Sequence, residues 1–188
     1  MTKTLRKTYQ LKIGLNGSKP PIWRRFLIAD STTLPELHMA IQIIMGWTNS
    51  HLHQFIVGDR YYGMPDPDFD MDLNTIDESQ YRISQLLKKE KDSIVYEYDF
   101  GDGWEHKITL EKILTFDPKQ NLPFCIKAKG ACPPENIGGI CGYYDFLEAI
   151  NDATHPEHEG YKEWIGGDFD PDGYAIEEIN EVLTEYCR

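Results

Sequence analysis

The chain has 188 residues, 40% hydrophobic and 27% charged, which is globular composition in the size range of one domain and excludes a disordered tail. Its net charge of −12 argues against nonspecific nucleic-acid binding, because a surface that tracks phosphates needs clustered cations and only Arg24-Arg25 and Lys88-Lys89 approach a cluster. No apolar run approaches the ~20 residues that cross a bilayer, so a membrane partner is not expected. From the N-terminus, Tyr9, Leu11, Ile13 and Leu15 alternate with polar residues at the period of a half-buried strand. Asn16-Gly17 and Pro20-Pro21 mark a turn, and Ile22 to Ile28 reads as the returning strand of a hairpin. Thr33 and Glu36 have capping-box spacing ahead of Leu34, Leu37, Ile41, Ile44 and Met45, which predicts a helix stopped by Gly46.

His51 to Val57 and Arg60 to Gly63 read as a second hairpin, and Met64 to Gln80 as an acidic surface loop. A short helix is expected over Ile83 to Lys88. Ile94 to Phe100 then forms a strand with Ile94, Tyr96, Tyr98 and Phe100 on one face. Gly101-Asp102-Gly103 supplies the turn to a partner strand over His106 to Leu114. After a loop rich in Cys, Gly and Pro, helical patterns recur at Tyr143 to Asn151 and Ala175 to Tyr186. Hairpins interleaved with helices predict an α+β fold, a single domain in which a mixed or antiparallel sheet is covered by helices on one face. The polar N-terminus does not read as a secretion signal. Cys125, Cys132, Cys141 and Cys187 are therefore expected as reduced thiols of a cytoplasmic protein.

Two stretches carry unusual chemistry: Tyr98-Asp99-Phe100-Gly101-Asp102-Gly103-Trp104-Glu105-His106, and Cys132-Pro133-Pro134-Glu135-Asn136-Ile137-Gly138-Gly139. With Ile22-Trp23-Arg24-Arg25 and His51-Leu52-His53-Gln54-Phe55, they resemble the plasmid pRiA4b open-reading-frame-three-like family, along nearly the whole chain. That resemblance implies a compact α+β fold and an association with mobile elements; it implies no settled activity. The family usually has Asp where this chain has Asn136. A resolvase-like label attached to some members is not supported, because no early strand presents a nucleophilic serine with the arginines that recombination needs.

The candidate cleft comprises Asp99, Asp102, Trp104, His106 and Glu135, and the candidate metal ligands are His51, His53, Asp102 and His106. Carboxylates and imidazoles can hold a divalent metal or act as acid and base, and strand spacing would put His51 and His53 on one face. The competing reading is structural: Asp in a Gly-rich turn bonds nearby backbone amides, and histidines beside Phe55 and Val57 pack in a core or edge. Two functions follow. One is a non-catalytic binding module whose acidic surface and aromatic cleft meet a protein or small-molecule ligand. The other is a metal-dependent hydrolase using Asp99, Asp102, His106 and Glu135. A zinc site from Cys132, Cys141 and His155 or His158 has poor spacing. Asp168 to Gly173 opens like a calcium loop but has Ile179 at the twelfth position. Asp66, Asp68, Asp70 and Asp72 echo the same loop without its glycine.

Overall fold

The opening alternation forms the expected hairpin. In the computed structural model, which describes residues 6–65 and 75–186, β1 (Lys7–Leu15) pairs antiparallel with β2 (Trp23–Ala29). Tyr9, Leu11, Ile13 and Leu15 are buried, and Arg24, Phe26 and Ile28 fill the same face from β2. Arg24 is 2% exposed. Its Nε donates to the Ile44 carbonyl and its Nη1 to the carbonyls of Trp23 and Lys129, each at 3.0 Å. The guanidinium thus satisfies the carboxyl end of the first helix from inside the core, and it forms no surface cluster with Arg25.

That helix, α1 (Leu34–Met45), carries the predicted capping box and ends at Gly46 with φ +98. Three further strands, β3 (His53–Val57), β4 (Arg60–Gly63) and β5 (Ile76–Asp77), lie to one side of β6 (Ser93–Tyr98). Beyond β6 come β7 (Trp104–Thr115) and, at the far edge, β8 (Phe124–Lys129); the order is β5-β4-β3-β6-β7-β1-β2-β8. All pairs are antiparallel except β4 with β5, so the sheet is mixed. A 3-10 turn (Glu78–Gln80) and α2 (Ile83–Leu86) precede β6, and α3 (Gly139–Asn151), α4 (His158–Ile165) and α5 (Ile176–Tyr186) follow β8. The fold is α+β, as predicted. Among the described residues no helix is long and apolar enough to cross a membrane.

The differences from expectation have local causes. The strand predicted to reach Phe100 ends at Tyr98, because Asp99 adopts φ +57 and turns the chain. Phe100, expected on one strand face with Ile94, Tyr96 and Tyr98, is therefore 50% exposed, whereas those three are buried. β8 is absent from the prediction because a register shift breaks its alternation, leaving only Cys125 and Ala128 buried in it. α4 buries only His158, so it has no apolar stripe for a sequence to reveal. β5 falls in the segment read as an irregular loop, while Asp66, Asp68, Asp70 and Asp72 lie outside the described residues.

Candidate functional site

The turn between β6 and β7 is organised by Asp99. Its carboxylate accepts from the Gly101 N–H at 3.0 Å and the Asp102 N–H at 3.3 Å, and its carbonyl accepts from Gly103 N–H at 2.6 Å. Asp102 points out of the turn and accepts from Gly138 N–H at 3.2 Å, at the start of α3. Gly139 packs so closely on this turn that a methyl group there would overlap the Asp102 carbonyl oxygen.

The second motif closes on the first. Trp47 Nε1, just past α1, donates to the Pro133 carbonyl at 3.2 Å. Glu135 accepts three hydrogen bonds: Thr48 N–H at 2.8 Å, Thr48 hydroxyl at 2.7 Å and Tyr98 hydroxyl at 2.9 Å. Burial raises the Glu135 pKa, but these donors outweigh it and leave the carboxyl below its ordinary value. Burial, then the bond to Glu135, pushes Tyr98 up to about 12. The two rare motifs are therefore the halves of one clasp, in which each carboxylate is held by protein donors. Asn136, where the family usually has Asp, has φ +60, a conformation Asn tolerates.

Trp104 and His106, assigned from sequence to a cleft, are 1% and 0% exposed and belong to the core. His106 packs edge-on against Trp47 at 5.1 Å, and its Nδ1 lies 3.3 Å from the Tyr96 carbonyl. Burial pulls its pKa down to about 4. His106 Nε2 and Trp104 Nε1 are buried without a hydrogen-bond partner.

His51 and His53 do not share a site. The chain bends at His51, ahead of β3, and carries its Nε2 to 3.5 Å from Asp99 Oδ2 without hydrogen-bonding geometry. His53 instead stacks face to face on His38 at 3.5 Å and places Nε2 3.1 and 3.0 Å from the two Glu78 oxygens. The expectation of two ligands on one strand face fails because only His53 is in the strand.

A buried polar centre around His38 was not legible in the sequence, since its members come from α1, the loop after it, β3, β6 and the turn before α2. One proton arrangement satisfies it. Asn49 N–H donates to Gln42 Oε1 at 2.9 Å, so Gln42 Nε2 donates to the Tyr96 hydroxyl, also at 2.9 Å. Tyr96 then donates to His38 Nδ1, which leaves the His38 proton on Nε2, donated to Asn49 Oδ1; both distances are 2.8 Å. His38 is thus neutral, and burial, followed by the charge of His53, lowers its pKa to about 4.

The family described as Plasmid pRiA4b ORF-3-like protein matches residues 7–178. The chain belongs to that family. It is 35% identical over 182 residues to the uncharacterized protein y4hQ of Sinorhizobium fredii, spanning 94% of this chain and 90% of y4hQ. It is also similar to the crystal structure of MM3350, a protein of unknown function from Methanosarcina mazei Go1. The TM-score is 0.83 at 34% identity, over 93% of this chain and 98% of that one. Neither of these relatives of the pRiA4b-type protein has a name that states an activity.

The remaining metal candidates stay apart. Cys132 is half-buried and Cys141 exposed, while His155 and His158 bond to Glu157 N–H and the Ala149 carbonyl. Cys187 lies outside the described residues. In the calcium-like loop, Asp170 accepts from Asp172 N–H at 2.9 Å and Asp168 pairs with Lys162 at 3.2 Å. Among the described residues, no three His, Cys, Asp or Glu side chains form a group that could hold a metal ion.

Proposed function

We propose that this protein is a non-catalytic binding module whose ligand is an extended protein segment bearing basic and apolar side chains. The observation that carries this reading is an open groove of about 910 Å³ between β8 and α5. Phe124 and Ile126 form its apolar side, each 38% exposed. Glu177, Glu181 and Glu185 line the other wall at four-residue spacing, so they share one face of α5. None of the three has an ion-pair partner among the described residues, and α5 carries no basic residue in its last turn. Like charges four apart, one at the negative end of the helix dipole, destabilise α5 until a cation neutralises them. None of the candidate cleft residues lines this groove.

The probe is a fluorescein-labelled peptide of about ten residues alternating Lys and Leu, read by anisotropy. Binding is expected to weaken with salt and to fall by about tenfold or more in Glu181→Lys, Glu185→Lys, while that variant remains folded. Equal binding by the folded variant rejects the groove.

A metal-dependent hydrolase is the second reading, and it draws on the unpartnered His51 Nε2 beside Asp99. The binding reading predicts less than stoichiometric metal in tag-free, dialysed protein examined by plasma mass spectrometry. A stoichiometric transition metal that disappears in His51→Ala promotes the hydrolase instead.

A further inference from the structure

The sheet gathers cations that are scattered in the sequence. On β1, β2, β7 and β8, the residues alternating with the buried set project from the face opposite the core. There Trp23 lies directly across from Gly14 and from Lys129, and Arg25 across from Lys12 and Lys127, while Lys107 lies across from Gly14 on its other side. Five of the chain's 19 Lys and Arg thus surround one indole, although the whole chain carries −12. Glu111 answers one of them, holding Arg25 at 2.5 and 2.7 Å. Glu97 and Glu105 face each other farther along the sheet, where β6 meets β7.

Trp23 is half-buried, and its ring is approached by Lys12 Nζ at 4.8 Å and Arg25 Cζ at 5.3 Å. Gly14 has no side chain to cover the neighbouring sheet, where a Cβ would lie 3.7 Å from that of Trp23. Lys107, Lys127 and Lys129 are exposed and have no ion-pair partner among the described residues.

We propose that this open sheet face binds single-stranded nucleic acid, with Trp23 stacking on a base and Lys12, Lys107, Lys127 and Lys129 contacting phosphates. A broad pleated face cannot enter a duplex groove, whereas an accessible indole ringed by cations matches what an unpaired base and its backbone offer. The expectation against nucleic acid rested on net charge and on cation spacing along the chain; around Trp23 five cations stand against Glu111, a balance opposite in sign to the total. The surface is separate from the acidic groove, so failure of either leaves the other standing.

The test is fluorescence anisotropy with labelled oligo(dT) and oligo(U) of about 12 nucleotides, against a duplex of equal length, polyglutamate and phosphatidylserine vesicles. Both single strands are expected to bind at low salt, with log K falling by about 0.7 per phosphate contact for each unit of log salt. A preference between them identifies RNA or DNA as the source. Trp23→Ala is expected to weaken binding about tenfold with little change in the salt slope, and Lys127→Glu, Lys129→Glu to weaken it and flatten that slope. Quenching of tryptophan fluorescence by the bound strand, lost in Trp23→Ala although Trp47, Trp104 and Trp164 remain, provides an independent readout of stacking. No binding at roughly 100 µM protein in low salt overturns the proposal. So does equal affinity for duplex, polyglutamate or vesicles, or indifference of the folded variants to these substitutions.

Discussion

Gly139→Ala is expected to destabilise the protein by about 3 kcal/mol or more, the largest effect of any single methyl in the chain's two clasp motifs. Gly139 has φ +68, which costs any side chain, and the added methyl would overlap the Asp102 carbonyl. Neither strain can relax alone. Moving Gly139 away pulls Gly138 N–H off Asp102, and moving the turn disturbs the bonds that Asp99 makes to Gly101, Asp102 and Gly103. Urea unfolding of the variant checks this, with Gly160→Ala as the control. Gly160 lies in α4 with nothing within 4 Å of an added methyl, so alanine there is expected to be neutral or to stabilise by up to about 1 kcal/mol. A loss below about 0.5 kcal/mol for Gly139→Ala would mean that the two motifs are not mechanically joined.

The second large effect is on acid stability. His38 and His106 have folded-state pKa values of about 4, below the ordinary 6.5, because both are buried. Above pH 7 both are neutral whether the chain is folded or not. As pH falls through 6.5 the unfolded chain takes up protons that the folded chain refuses until about pH 4, so stability is lost across that window. The full loss is about 3 kcal/mol for each histidine. Glu111 and Glu135 have lowered pKa values and contribute mainly below the ordinary glutamate value of 4.5. The slope from pH 6.5 to 4.5 therefore reports the histidines. Urea midpoints measured across this range are expected to fall steadily, and His106→Phe to remove about half of the dependence. Phenylalanine suits the buried site because His106 Nε2 has no partner, and the substitution gives up the 3.3 Å contact of Nδ1 with the Tyr96 carbonyl. A midpoint that does not move between pH 6.5 and 4.5 would place both imidazoles in contact with water.

The fate of the candidate residues follows from what each carboxylate already holds. Asp99, Asp102 and Glu135 accept main-chain N–H groups that would otherwise be unsatisfied at a tight turn, a helix start and a loop. A general base or metal ligand in these positions would have to give up those bonds, at a cost of order 1–3 kcal/mol for each donor left unpaired. The acidic groove and the basic sheet face hold side chains with no such duty. Side chains free to meet a ligand therefore lie on surfaces outside the two motifs.

By itself the sequence determined the elements whose information is local. The β1–β2 hairpin, the capping box of α1, the Gly46 stop and the β6–β7 turn follow from alternation and turn chemistry within a few residues. The two rare motifs were also visible, along with the structural reading of their turn acids. Tertiary structure decided everything that depends on which strands become neighbours. It separated His51 from His53, seated Glu135 on Tyr98 and assembled the His38–Tyr96–Gln42 centre. It also sent Arg24 inward and Arg25 outward, and collected lysines from β1, β7 and β8 around Trp23. The physical reason is that strand alternation fixes which face a residue takes, while sheet order, which the sequence states nowhere locally, fixes the company it keeps there.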